Sequence, residues 1–133
     1  MKGGDMLRTA MGAFILASGL FAGSPAASQS AQEMASFCEP IVNAKAVGEG
    51  RIQVTTSFET GQCWGAFRAL QQLSALTLDG KTRALPLCLP EETKLSQLVK
   101  IFYRHVQKKP AIGHEPFALV AFWVLWDAFP CPE

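Results

Sequence analysis

The sequence predicts an all-α fold, a small orthogonal or antiparallel bundle of four to five helices stapled by two disulfide bonds. Two observations predict it. Apolar residues recur at helical spacing in segments that prolines and glycines separate. The chain is also small, begins like an exported protein and contains four cysteines, an even number that favours disulfide bonds: Cys38, Cys63, Cys88 and Cys131.

The first 27 residues have the order of a secretory signal peptide. Two basic residues precede an apolar run from Ala10 to Ala22, and small residues follow this run. The run is shorter than the roughly 20 residues of a spanning helix, which argues against an uncleaved membrane anchor. We therefore expect cleavage near Ala26, a mature periplasmic domain over residues 28–133, and no membrane association after cleavage.

The predicted mature domain is close to electrically neutral, because its Lys and Arg residues balance its Asp and Glu residues. Affinity for nucleic acid comes largely from Lys and Arg that displace counterions from phosphates. A balanced small domain with no basic run longer than Lys108-Lys109 therefore argues against a nucleic-acid partner.

The first helix is predicted from about Gln29 to Ala46. Its apolar residues at helical spacing are Met34, Phe37, Cys38 and Ile41. Pro40 lacks a backbone N–H, so it should kink or restart the helix. We expect Gly48 and Gly50 to end the helix and the stretch RIQVTTS to follow as an extended connector.

The second helix is predicted to begin near Thr56, which has capping-box spacing to Glu59. Apolar residues then recur every three residues and predict a buried stripe: Trp64, Phe67, Leu70, Leu73 and Leu76. Gly65 is a weak helix former, so its expected use is a close backbone approach. The polar loop LDGKTRALP follows, with Asp79-Gly80 as its turn.

The third helix is predicted to begin after Thr93, a good N-cap residue. One face is apolar: Leu95, Leu98, Val99, Phe102, Tyr103 and Val106. The other face is polar: Lys94, Gln97, Lys100, Arg104 and Lys108. This pattern is the clearest amphipathic helix in the chain, and Pro110 and Gly113 should end it.

The fourth helix is predicted to start at Pro116, which suits a first helical position. The following stretch FALVAFWVLW is apolar on every side but too short to span a bilayer. We therefore expect a central helix that is buried all round.

The expected helix packing favours one cysteine pairing, although the sequence alone permits three. A short turn should make helices three and four antiparallel neighbours, which places Cys88 beside Cys131. The same reasoning favours a bond between Cys38 and Cys63. A zinc site is the alternative, but no CxxC pair is present and the spacings suit no common zinc finger. We expect neither a metal nor another cofactor.

The sequence offers no catalytic constellation, so we expect a binding protein and not an enzyme. His105 and His114 are each expected to be an exposed residue or a cap, and no cysteine stays free if both bonds form. The loop after helix two is the best candidate for partner binding, because its tethered ends reduce the cost of ordering it. Its candidate residues are Asp79, Lys81, Thr82 and Arg83.

Three stretches carry a resemblance to a known family: GQCWGAFRAL, LCLPEETKLSQLVKIFYRHVQKKP and ALVAFWVLWDAFPCP. Together they resemble the Rap/Tai immunity proteins of type VI secretion systems, over about Cys38 to Cys131. The resemblance implies a small helical periplasmic protein, often a homodimer, that binds a cognate peptidoglycan amidase effector and blocks its active-site cleft. The stretch CWGAF departs from the more usual C-x-G-Y pattern, since it has Phe67 and no tyrosine.

Two other functions stay open at this stage. A periplasmic stress or client-binding protein would expose its apolar helix on opening and would have many weak partners. A hydrolase accessory or ligand-binding module would use Trp64, Trp123 and Trp126 to line a pocket for a small molecule.

Overall fold

The computed structural model describes residues 28–132, so the predicted signal peptide lies outside the described residues. The elements in chain order are α1 (Ala31–Val42), β1 (Lys45–Ala46), β2 (Ile52–Gln53), α2 (Phe58–Ala75), α3 (Leu95–Lys108), a 3₁₀ helix (Pro110–His114) and α4 (Phe117–Ala128). The predicted all-α class is confirmed, since the strands form only a small hairpin.

Helices α1 and α3 form the centre of the bundle, because each packs against the other three helices. Three aromatic rings from α2, α3 and α4 meet in the core. The ring centroid of Phe67 lies 5.4 Å from that of Phe102 and 5.6 Å from that of Phe117. The prediction that the fourth helix is the central one is therefore wrong, since α1 and α3 occupy that place.

Helix α1 is shorter than predicted and runs through Pro40. The Ser30 side chain caps its start by accepting a hydrogen bond from the Glu33 amide at 3.2 Å. The Asn43 amide donates to the Glu39 carbonyl at 3.0 Å, so the helix passes Pro40 without restarting and ends at Val42. The predicted restart is wrong because Pro40 removes only the hydrogen bond of its own missing amide, and a helical bond after it continues the helix.

The predicted end of the first helix is instead an antiparallel hairpin. Lys45 pairs with Gln53 in the two-stranded sheet. Gly48, Glu49 and Gly50 form its turn with φ values of 91°, 47° and 74°, a left-handed region that favours glycine. The glycines therefore reverse the chain direction between two strands, and part of the predicted connector is β2.

Helix α2 differs from the prediction in its cap and in its buried face. Ser57, not Thr56, caps the helix by accepting from the Thr60 amide at 3.1 Å. The buried residues of α2 are Thr60, Cys63, Phe67 and Ser74. Trp64, Leu73 and Leu76 are 42%, 42% and 52% exposed, so the predicted stripe is wrong at these positions. It is right at Phe67, which is fully buried, and Leu70 packs half-buried against the core. A step of three residues falls short of a full turn by about 60°, so such a stripe winds away from the core.

Two smaller expectations about glycine and threonine are also wrong. Among the described residues, no atom outside the helix lies within 4 Å of a Cβ placed at Gly65, so none of their backbone approaches it closely. Thr93 does not cap α3, because the cap position is Lys94, whose amide donates to Gln97 Oε1 at 2.8 Å. The carbonyl of Thr93 instead accepts from Gln71 Nε2 at 2.9 Å and links the start of α3 to α2.

Helix α3 confirms the amphipathic prediction. Its buried residues are Leu95, Leu98, Val99, Phe102 and Val106. Lys94, Gln97, Arg104 and Lys108 of the predicted polar face are exposed, and Lys100 is half-buried. This helix therefore contributes one side to the core and presents the other to solvent.

Two disulfide bonds close the bundle. Cys38–Cys63 joins α1 to α2, and both of these cysteines are fully buried. Cys88–Cys131 joins the stretch before α3 to the stretch after α4, where the Cys88 amide also donates to the Phe129 carbonyl at 3.1 Å. Across residues 28–132, the helices lack the length and apolar character that crossing a membrane requires.

Candidate partner-binding surfaces

The loop between α2 and α3 is organised around Asp79, one of the four residues predicted to bind a partner. Its carboxylate accepts hydrogen bonds from the amides of Lys81 and Thr82 and from the Thr82 hydroxyl, the last at 3.0 Å. Gly80 allows this tight turn with a φ of 75°. The Leu78 amide donates to the Thr82 carbonyl, which closes the loop base. The loop is thus preorganised by its own side chains.

The other two predicted loop residues differ in how available they are to a partner. Arg83 Nη1 donates to the Ser74 carbonyl at 3.1 Å, so this guanidinium satisfies a free carbonyl at the end of α2. Lys81 is exposed, and its ammonium makes no hydrogen bond or ion pair with another described residue. Of the predicted residues, Lys81 is the one whose side-chain charge is available to a partner.

The pKa of Asp79 lies below its ordinary value of 3.8, first because the Thr82 amide and then the Lys81 amide donate to the charged form. Because the pKa of Asp79 in the folded protein lies below 3.8, the hydrogen bonds to its carboxylate are complete above pH 3.8. They are lost when the pH falls through the lowered pKa of the folded state. The loop conformation therefore holds at neutral pH.

Replacing Asp79 by alanine is expected to speed hydrogen exchange of the Lys81 and Thr82 amides about fivefold to tenfold at pH 7, since each loses its acceptor. Asp79→Asn keeps an acceptor and serves as the control, with most of the protection retained. In the unmodified protein, both amide resonances should stay in place from pH 7 down to about 4 and move only below it. A shift centred above pH 5 would contradict the assigned bonds.

Helix α4 presents an exposed apolar face, where the sequence predicted complete burial. Its buried side consists of Val120, Ala121, Val124 and Leu125. Its exposed side includes Leu119, Trp123 and Trp126, which are 48%, 56% and 40% exposed. The rings of Trp123 and Trp126 lie 5.6 Å apart, and Phe122 stacks on Trp126 at 6.1 Å. We call Leu119, Phe122, Trp123 and Trp126 the aromatic face.

The sequence contains a signal for this face that the uniform apolar pattern hides. From Val120 onward, small and branched residues occupy the side that packs against α1 and α3, and the large rings occupy the other side. Phe117, in the first turn, is the exception, because its ring packs against Phe67 and Phe102. Contiguous exposed apolar groups of this kind mark interaction surfaces in soluble domains. Residue size, rather than hydrophobicity, separates the two sides.

An apolar cleft lies between the hairpin and the start of α2. It has a volume of about 510 Å³, and its apolar lining includes Ile41, Ile52, Val54 and Trp64. Trp64 borders this cleft instead of joining the core. Trp123 borders a separate, smaller cleft with His105, so the tryptophans do not line one common pocket.

Of the residues that could carry chemistry, His105 and Asp127 line one small cleft together with Lys109. His105 lines the cleft beside Trp123, whereas His114 is exposed in the 3₁₀ helix. Asp127 is exposed near the end of α4. Within residues 28–132, no three His, Cys, Asp or Glu side chains cluster in a way that suits a metal ion.

Comparison with known proteins gives one family. A family model described as Rap1a immunity proteins matches residues 30–131, which is more than half of the chain. No curated protein and no solved structure matches the chain. The matched range includes all described helices and both disulfide bonds.

Proposed function

Because the chain belongs to the Rap1a immunity protein family, we propose that it acts in the periplasm, where it binds and blocks a peptidoglycan amidase effector delivered by type VI secretion. The family supports the immunity role and a cognate effector as the partner. The amidase and the periplasm come from the resemblance and from the predicted signal peptide. The observation that carries the proposal is the family match over the whole bundle.

The rigidity of the described chain suits an inhibitor that blocks its target sterically. Immunity proteins are generally not enzymes, since they protect by occupying the effector. A rigid scaffold loses less conformational entropy on binding. Here both disulfide bonds and the bonds of Asp79 restrict the chain around the loop. We propose that this loop, with Asp79, Lys81, Thr82 and Arg83, contacts the effector.

A periplasmic location agrees with the cysteine chemistry. Disulfide bonds form and persist in oxidising compartments such as the bacterial periplasm. Both bonds of this chain lie in the proposed mature domain, residues 28–133, after the proposed signal peptide. The intact mass of protein recovered from the periplasm tests this proposal, because it gives the cleavage site directly.

The resemblance also supports a homodimer, and we propose the aromatic face of α4 as its contact surface. Aromatic residues are enriched in the cores of protein interfaces. Light scattering on the isolated mature protein tests this proposal. A mass of one chain at micromolar concentration would count against it.

The experiment that tests the proposed function is capture of partners by the tagged mature protein from the host periplasm and culture medium, under oxidising conditions. Mass spectrometry should identify one stoichiometric partner with an amidase sequence. The purified mature protein should then inhibit the hydrolysis of peptidoglycan by this partner. A diffuse set of weak partners would instead support the stress or client-binding function, for which the aromatic face offers an already exposed surface.

Lys81→Glu is expected to weaken binding of the captured partner about tenfold without lowering the melting temperature. A reversed charge in an interface opposes its former partner group. The Lys81 side chain makes no bond with another described residue, and the substitution keeps the Lys81 amide that donates to Asp79. Arg83 is a poorer choice because its guanidinium bonds to the Ser74 carbonyl. Arg68→Glu, an exposed change on α2, is the control. Equal binding by both variants would place the interface elsewhere.

A further inference from the structure

The charges of this nearly neutral domain are segregated along the chain. Between Thr93 and His114 there are five Lys and Arg residues and no Asp or Glu: Lys94, Lys100, Arg104, Lys108 and Lys109. The remaining mature chain therefore carries a matching excess of acidic residues. The near-zero net charge of the domain excludes a large overall charge, but it does not describe the local charge of the surface around α3.

Helix geometry places three of these cations on one face of α3. Lys100, Arg104 and Lys108 are four residues apart, so successive side chains rise about 6 Å and turn about 40°. Phe102 and Val106 point to the opposite side, into the core. We call Lys100, Arg104 and Lys108 the cationic face.

No carboxylate of the described chain neutralises this face. Among residues 28–132, the ion pair present is Arg51–Glu49, far along the chain in the hairpin. Lys94 is turned away toward the hairpin, since a Cβ at Gly50 would meet its Nζ at 2.6 Å. The cationic face is thus a set of charges without an ion-pair partner among residues 28–132.

A cleft of about 500 Å³ lies beside the cationic face. Lys100 and Arg104 line it together with two apolar side chains, Ile101 and Phe129. Among residues 28–132, Glu92 is the single acidic residue in its lining, so these residues give the cleft an excess of positive charge. Cations beside apolar groups fit a ligand that combines carboxylates with an apolar side chain.

We propose that the cationic face and its cleft bind an acidic segment of the partner protein, with carboxylates at Lys100 and Arg104 and an apolar side chain against Ile101 and Phe129. The inference rests on the proposed function for the class of partner, a protein. An anionic lipid surface fits less well, because a flat layer of headgroups does not enter a recess. Charge complementarity of this kind steers the encounter and is screened by salt.

The first test uses a defined probe, a seven-residue amidated peptide with four glutamates around a central phenylalanine. Titration into the full mature protein, followed by amide NMR shifts, should move the resonances of residues 100–104. Lys100→Glu with Arg104→Glu should lower the affinity for the peptide at least fivefold. A version of the peptide with lysines in place of the glutamates should leave these resonances unchanged. A control pair with the same change of charge, Lys45→Glu with Arg68→Glu, should bind as the unmodified protein does.

Three results would overturn the proposal. The first is the absence of shifts at residues 100–104 up to millimolar peptide. The second is equal binding by the Lys100/Arg104 variant and the control pair. The third is binding to phosphatidylglycerol vesicles that depends on Lys100 and Arg104 while the peptide fails to bind, which would identify a membrane-binding face.

A second measurement separates this proposal from the proposed function. With the captured effector, the Lys100/Arg104 variant should associate at least tenfold more slowly in 50 mM NaCl, and the difference should shrink in 500 mM NaCl. An association rate that changes neither with the variant nor with the salt concentration would overturn the proposed role of the cationic face. It would leave the proposed immunity function standing. Absence of any effector would count against the immunity function, and the peptide titration would still decide the binding site.

Discussion

Replacing Phe67 by alanine is expected to lower the free energy of unfolding by about 3–5 kcal/mol. The side chain is fully buried, and its ring contacts those of Phe102 on α3 and Phe117 on α4. Truncation would therefore remove contacts to two other helices at once and leave a cavity where three elements meet. Small domains have total stabilities of about 5–15 kcal/mol, so this loss is a large share.

Phe58→Ala is the matched control, because Phe58 lies on the same helix and is 77% exposed. Urea unfolding followed by circular dichroism should show a lower midpoint for Phe67→Ala and a change within about 0.5 kcal/mol for Phe58→Ala. Similar midpoints for the two variants would contradict the packing of α2 described here.

Removing the Cys88–Cys131 bond by serine substitution is expected to lower the free energy of unfolding by about 4 kcal/mol in the chain-entropy model. The bond joins residues 43 positions apart, so it restricts a long segment of the unfolded chain. It also holds the end of α4 beside the start of α3, next to the cleft that Phe129 lines. Loss of the bond should therefore weaken both stability and peptide binding at that cleft.

The two bonds should also differ in how readily they are reduced in the folded state. Cys88 and Cys131 are half-buried, whereas Cys38 and Cys63 are fully buried. A reductant needs access to sulfur, so Cys88–Cys131 should open first under mild dithiothreitol. Differential alkylation with peptide mapping measures the order. Earlier labelling of Cys38 and Cys63 would contradict the burial of that bond.

The sequence predicted the helices because the signals for them are local. Apolar spacing in α3 and the capping chemistry at the start of α2 act over a few residues, so the elements were found even where a cap was misplaced by one position. The hairpin was missed because the pairing of Lys45 with Gln53 links residues that have no periodic pattern between them. Gly48 and Gly50 marked a change of direction, but a helix end and a hairpin turn have the same composition.

The surfaces could be predicted only in part. The turn at Asp79 was expected, but the bond from Arg83 to the Ser74 carbonyl depends on how the loop folds back onto α2. The aromatic face was missed because FALVAFWVLW is apolar throughout, so residue size and not hydrophobic periodicity distinguishes the side that meets the core. The sequence shows the cationic face as part of a stretch without acidic residues. It becomes a candidate site because its side chains form no ion pair with the described residues.

By itself the sequence determined the class of the fold, the even set of cysteines, the amphipathic α3 and the family to which the chain belongs. The tertiary structure decided which helices are central, which side of α4 faces solvent and which cations lack an ion-pair partner in the described part of the chain. The physical reason is that helix formation depends on neighbours within a turn or two. Burial and charge pairing depend instead on contacts between distant residues, here α4 with α1 and α3, which local spacing does not encode.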